Sequence, residues 1–333
     1  MVATTSKWIE KWHKLNGAVN HVVAYTSAIE VSALQVRAAS ASSTLGYVIV
    51  QASSKSLVDK ISVTVEMGVL SIGWIAHVGA FVGKYIVQVF LPPQSLQAVT
   101  FAAPRGNMVV HPQVFHRSLM LPLSIHCTSQ RGTLFIQDEV LVAQRLDLQL
   151  AESGCLQVAA NVISVVETFD IQHLHGDGVL AVLASAVYAG SVEIGQSCSG
   201  KTFLMAEETF QVREELSVLN QAPGSVTVVA ADIFDLSNQY LQDFKAFMGS
   251  IHVVGTWSPT HSDDLAHTIQ EQQLKIGPSA GHVYVHDKNA ANGNGLQSQR
   301  SWPEYSAMPV PSTVTPGVKC VVGVLAKSPP FKS

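Results

Sequence analysis

The residues best suited to chemistry are Gly195-Gln-Ser-Cys-Ser-Gly200-Lys201-Thr202, which fill the pattern G-x-x-x-x-G-K-[ST]. In a phosphate-binding loop the backbone amides of such a stretch cradle phosphates, the lysine reaches the outer phosphates and the threonine hydroxyl binds magnesium. Gly195, Gly200, Lys201 and Thr202 are therefore the candidate cofactor-binding residues of an NTPase reading. That reading needs a strand before the loop, which Ser191–Ile194 can supply, and a helix after it, over Thr202–Leu216. Val226-Thr-Val-Val-Ala-Ala-Asp232 would be its metal-side strand. The context points elsewhere: the long stretch before the motif is strand-type in pattern and lacks the alternating helices that a parallel α/β sheet requires. The first reading of the motif is a turn within a β fold, and nucleotide binding is the alternative.

His173, His175 and Asp177 stand at alternate positions and would share one strand face, as a metal trio does. Solvated polar residues beside a Gly-x-Gly turn are the simpler reading, and no metal or other cofactor is assigned. His282 and His286 share a face around Tyr284 but have no cysteine beside them. Glycan-cleaving enzymes built on β-helices need clustered carboxylates and bases on one face. Asp138, Glu139, Arg145 and Asp147 come nearest to that, with a charged loop as the simpler account, so no catalytic residue is assigned. Cys127, Cys155, Cys198 and Cys320 form no C-x-x-C pair and read as buried small apolar residues, with one or two disulfides open if the chain is extracellular.

The elements that must position these residues show in a recurring unit: Gly, any residue, an aliphatic, any residue, then Val or Ile. It occurs at Gly46, Gly68, Gly106, Gly132, Gly154, Gly178, Gly190, Gly224, Gly249 and Gly281, ten of the 23 glycines. Chance would give roughly one or two, so the unit is a structural repeat. Glycine admits a turn that side chains resist. The alternation after it sends one set of side chains into a core, and Val and Ile favour extended chain. Further alternating runs lie between the units, including Ile61–Val65, Ile86–Phe90 and Leu146–Leu150. Turn, strand and one or two further strands per repeat predict an all-β chain of stacked coils, a β-solenoid resembling a parallel β-helix. Leu134, Leu156 and Leu180 should then point into a shared interior. A β-sandwich is the competing fold, although its loops would come at shorter spacing without a fixed Gly-strand unit.

Some segments depart from the repeat. Trp8, Ile9, Trp12 and Leu15 have helical spacing and end at Gly17, which predicts a short cap helix over the first coil. Asp235–Met248 and Asp263–Ile276 carry helix-like patterns and read as inserted helices or as irregular strands. From Asp287 the chain turns polar and rich in Gly and Pro, a flexible tail. The expected organisation is a cap over residues 1–20, a solenoid over 21–286 and a tail over 287–333.

Charged residues make up only 13% of the chain, about half the usual share, while apolar residues make up an ordinary 47%. That balance argues against intrinsic disorder. A net charge of -4 without a dense basic cluster argues against a nucleic-acid partner. No run reaches the roughly 18 apolar residues of a membrane-spanning helix. The first residues lack the apolar core of a signal peptide.

Leu57–Ile72 (LVDKISVTVEMGVLSI) resembles the entry segment of the auto-transporter adhesin head domain, also called the GIN domain, which is related to a wider group of adhesin-like β-solenoids. Tyr85–Thr100 (YIVQVFLPPQSLQAVT) resembles that domain's strand, Leu-Pro, strand passage. The family's Ser-Gly-Ser-Gly turns correspond here to Glu152-Ser153-Gly154, His175-Gly176-Asp177-Gly178 and Ser199-Gly200. The resemblance covers roughly residues 20 to 285 and lies in patterns of fold rather than of chemistry. It implies a surface or secreted, non-enzymatic protein, adhesin-like or structural, that offers flat faces to a cell-surface glycan, a protein or another copy of itself. A P-loop nucleotide-binding protein and a carbohydrate-active β-helix are the alternatives.

Overall fold

The fold is taken from a computed structural model, which describes residues 9–25, 33–40, 44–75, 85–230, 241–255 and 281–287. It is a β-solenoid of about 6 turns, nearly all strand. Each full coil has three faces. The first face carries the glycine-led strands β9 (Asn107–Val110), β16 (Ser225–Ala230), β18 (Ser250–Gly255) and β19 (His282–Asp287), with the opening parts of β11 (Thr133–Ala143), β13 (Cys155–His173), β14 (Val179–Gln196) and β15 (Lys201–Asn220). These strands stack in parallel, in register. The chain then turns a corner onto a short second face, where Val140–Ala143 lie beside Val162–Val165. The third face carries β8 (Ala98–Phe101), β10 (Leu123–Cys127), β12 (Leu146–Leu150), the last parts of β13, β14 and β15, and β17 (Leu241–Ala246).

Alternation puts every second side chain inside, because successive Cβ atoms point to opposite sides of a strand. Met108, Leu134, Leu156, Leu180, Thr202, Val226 and Ile251 form one inward row on the first face, all fully buried. On the third face Val99, Ile125, Leu148, Ile171, Ile194 and Val218 form another. A buried alanine column, Ala160, Ala184, Ala206 and Ala230, lines the first corner, six places after each glycine. Small side chains are needed where two faces converge. Coils of unequal length stay in register because the corners absorb the difference. Between β14 and β15, Lys201 faces Val179, Thr209 faces Ala186 and Glu215 faces Ser191, so each corner takes one more residue.

The N-terminal part departs from simple winding. β2 (His21–Ala24) lies on the third face between β8 and β6 (Val69–Trp74), hydrogen-bonded to both. β3 (Ala33–Ala38) lies on the first face between β9 and β7 (Tyr85–Leu91). The early strands are thus wedged between layers formed by later ones. Beyond β7 the first face ends in two antiparallel strands, β4 (Tyr47–Ala52) and then β1 (Ile9–Lys14). Beyond β6 the third face ends in β5 (Ile61–Glu66), joined to β6 by a Met67–Gly68 turn with both residues at positive φ. The one-turn helix α1 (Lys55–Val58), capped by the Ser54 hydroxyl accepting from the Leu57 amide at 3.3 Å, buries Leu57 and Val58 near β4 and β1.

Two segments with helix-like patterns are strands. Ile9–Lys14 is β1, because its residues complete a hydrogen-bonded ladder with β4, and tertiary pairing overrides a weak helical spacing. Leu241–Ala246 is β17, paired with the end of β15; there alternation buries Phe244 and Ala246 and leaves Phe247, just beyond the strand, exposed. Asp263–Ile276, Asp235–Tyr240 and the segment after Asp287 lie outside the described residues.

Candidate interaction faces

Each element of the GKT-type motif is accounted for by the coil. Gly195 sits within β14 on the third face, where a Cβ would press on the Gln172 side chain of the coil below. Gly200 is the turn before the first face, and a Cβ there would meet the His173 ring and the Gly178 carbonyl. Lys201 opens β15 and points to solvent, and Thr202 points inward, fully buried. The NTPase reading expects a helix over Thr202–Leu216; the structure has β15 there, so no helix N-terminus faces the loop. Val226–Ala230 falls within β16, next to β15 in the same face, and Asp232 lies outside the described residues. Gly277-Pro-Ser-Ala-Gly281 also fills G-x-S-x-G, the sequence of a strand-to-helix nucleophile elbow. Gly281 leads into the strand β19, and residues 277–280 lie outside the described set.

The motif's own neighbourhood holds a polar column that the sequence reading missed. His173, Gln196 and Asn220 succeed one another at the end of the third face, all buried. His173 Nδ1 lies 3.2 Å from the Thr202 hydroxyl. Gln196 Nε2 donates to the Gly200 carbonyl at 3.0 Å, and Asn220 Nδ2 donates to the Gly224 carbonyl at 2.9 Å. Gln196 and Asn220 satisfy carbonyls that the tight glycine turns leave inside, where an unpaired polar group is costly. Their signal was present as a polar residue four or five places before each of these glycines. Burial pushes the His173 imidazole down to about 4, so it stays neutral.

The alternate-position trio that a metal site would need does not assemble. His173 turns inward at the end of β13, while His175 and Asp177 are exposed in the turn, and Gly176 at φ +86 breaks the alternation that would have aligned them. Among the described residues no group of three His, Cys, Asp or Glu converges. His282 is exposed beside Tyr284, whose ring stacks on His252 at 4.9 Å.

The four charged residues Asp138, Glu139, Arg145 and Asp147 part company. Asp138 takes the place of alanine in the corner column. It is buried, it accepts from the Glu139 amide at 2.8 Å and the Gln113 amide at 3.2 Å, and it pairs with Arg117 at 3.4 Å. Burial raises its pKa against the opposing pull of these partners. Asp147 lies outward on the third face, 2.8 Å from His126 Nε2. There it heads a row the sequence reading did not foresee: Asp147, Asp170 and Glu193, one carboxylate above another on successive coils. Gln149 and Gln172 stack alongside, and Gln172 donates to Asp170 at 2.6 Å. Burial first, and then the neighbouring carboxylates, raise the pKa of Asp170 and Glu193, with Arg145 opposing.

The outward side of the first face is more apolar. Val109 and Phe135 form a small buried pair outside the main core. Gln88 donates to Gln35 at 3.3 Å in the same row. At its outer end the rings of Trp12, Tyr47 and Phe90 stack at 5.4 and 4.6 Å with planes 20° and 15° apart. Cys127, Cys155 and Cys198 are free thiols, and burial pushes Cys127 up to about 12 and Cys155 up to about 11. Among the described residues no helix is long and apolar enough to cross a membrane.

No family model matches the chain, and neither does any curated protein. Among solved structures, a "putative adhesin" of Parabacteroides distasonis is similar over 85% of this chain and 95% of that one, with 16% identity and a TM-score of 0.49. A second "putative adhesin", of Bacteroides fragilis, covers 84% of this chain with 94% of its own, at 14% identity and a TM-score of 0.45. A "putative lipid binding protein" of Parabacteroides distasonis covers 84% with 94% of its own, at 11% identity and a TM-score of 0.39. At these scores the likenesses carry no argument about activity or ligand.

Proposed function

We propose that the protein is a non-enzymatic, adhesin-like solenoid that works by presenting its third face to a cell-surface glycan. The observation that carries this reading is the in-register outward row Asp147, Asp170 and Glu193 with Gln149 and Gln172 beside it. Carboxylates accept hydrogen bonds, and primary amides both donate and accept, which is what sugar hydroxyls require. Repetition at the strand spacing of ~4.8 Å makes a flat, extended surface suited to an extended partner. The segments that resemble the adhesin head domain, Leu57–Ile72 and Tyr85–Thr100, contribute β5 to β8 of the same solenoid.

The test is binding of the full chain to an array of cell-surface glycans and to intact cells, alongside the double variant Asp170→Ala, Gln172→Ala. The wild-type protein is expected to bind and the variant to lose at least tenfold in affinity while melting at the wild-type temperature. A wild-type protein that binds no glycan, or a variant that binds equally well, overturns the reading.

A further inference from the structure

The ladder of rings at the outer end of the first face stops at an open edge. β1 is hydrogen-bonded to β4 along one side and, among the described residues, pairs with no strand along the other. A free strand edge is a template for another strand, and proteins usually blunt such edges. Here the outermost ring, Trp12, is 60% exposed, and Glu10 and Lys14 flank it on the same outward side.

The sequence of β1 is complementary to itself. If a second β1 lies antiparallel and Trp12 faces Trp12, then Glu10 faces the other copy's Lys14 and Lys14 faces its Glu10. Ile9 falls opposite Leu15. Lys11 falls opposite His13, whose pKa is lowered by burial and by Lys11. Cross-strand pairs of opposite charge and of aromatic rings are the units that stabilise antiparallel pairing. A two-fold axis makes each favourable pair occur twice, as a self-complementary interface requires.

We infer that two copies of this chain associate edge to edge through β1, about a two-fold axis at Trp12, joining their first faces into one continuous sheet. The two three-ring ladders become one ladder of Phe90, Tyr47 and Trp12 meeting its mirror sequence in the partner. Edge charges that would repel an arbitrary strand select this partner and this register. The inference does not depend on what the third face binds, and its readout, molecular mass, is separate from glycan binding.

The test is sedimentation velocity of the full chain over a wide concentration range, with Glu10→Lys, Lys14→Glu and an equimolar mixture of the two. The wild-type protein is expected to dimerise. Each single variant opposes like charges twice and should weaken the dimer about tenfold or more. The mixture restores opposite charges at both pairs and should return the dimer mass, as should the double variant E10K/K14E. A monomeric wild-type protein overturns the inference. So do single variants that dimerise as well as wild type, or a mixture that stays monomeric.

Discussion

At the scale of single residues, some side chains that look reactive in the sequence are buried as parts of the coil. His173 is the clearest case. Its Nδ1 lies 3.2 Å from the Thr202 hydroxyl, and its neighbours above in the same column, Gln196 and Asn220, hold glycine-turn carbonyls with their amides. The ordinary histidine value is 6.5, and burial lowers His173 to about 4 in the folded chain. Above pH 6.5 neither state carries the charge and the residue adds no pH dependence. As pH falls from 6.5 towards 4 the unfolded chain takes up a proton that the folded chain refuses, so stability is lost, by about 3 kcal/mol when the difference is complete. His111, also lowered to about 4 by burial and by Arg37, acts in the same direction. The raised carboxyls of Asp138, Asp170 and Glu193 act in the opposite one. His173→Gln copies the next coil's own residue. It should leave stability near pH 7.5 within about 1 kcal/mol of wild type and flatten the decline between pH 6.5 and 4, read from urea unfolding at several pH values. Parallel curves for the two proteins would show that His173 is not the group responsible.

At the scale of the element, the glycine turn is the device that fixes the coil. A Cβ on Gly178 would drive into the Gly154 carbonyl directly below, because successive turns stack as closely as successive strands. Backbone cannot yield there without disturbing the ladder on both sides. Gly178→Ala is therefore expected to cost about 2–4 kcal/mol, in the range of strained core substitutions. Gly17, with nothing within 4 Å of its Cβ position, provides the control: Gly17→Ala should fall within about 0.5 kcal/mol of wild type. Thermal melts of both variants, followed by circular dichroism, check the pair, and equal melting temperatures would contradict the stacking argument. The same crowding explains why a nucleotide-loop pattern arises here. The coil demands glycine at 195 and 200 and places an inward polar residue at 202, and a lysine happens to fill the solvent-facing position between.

At the scale of the whole molecule, winding order and stacking order differ. Solenoids in which each coil touches only its sequence neighbours lose little more than one layer when an end is removed. Here β2 and β3 are interior layers, each hydrogen-bonded on both sides by later strands. Deleting residues 1–40 opens a gap between β6 and β8 and between β7 and β9, and leaves four interior strand edges unpaired. Loss of a cooperative melt, or insoluble protein, is the expected outcome, whereas a truncated chain that melts like the full one would refute the wedged arrangement. The wedge also means that the N-terminal strands cannot complete their pairing until residues out to Val110 are folded, a long-range requirement that slows folding.

The sequence alone determined the repeat and its consequences. Glycine followed by alternating aliphatics admits few structures besides stacked turns and strands, and Leu134, Leu156 and Leu180 are buried as that pattern requires. Most of the repeat glycines immediately precede a strand; Gly190 instead lies inside β14, where the chain passes a corner without a break. What only the tertiary structure decided is who stands next to whom across coils. Strand direction, the insertion of β2 and β3, the carboxylate row from Asp147 to Glu193 and the edge position of β1 all depend on register between segments far apart in the chain. Local alternation is the same whichever strand lies alongside, so pairing partners are chosen by how the whole core closes. For that reason Ile9–Lys14, helical by spacing, became a strand once β4 offered it an unpaired edge.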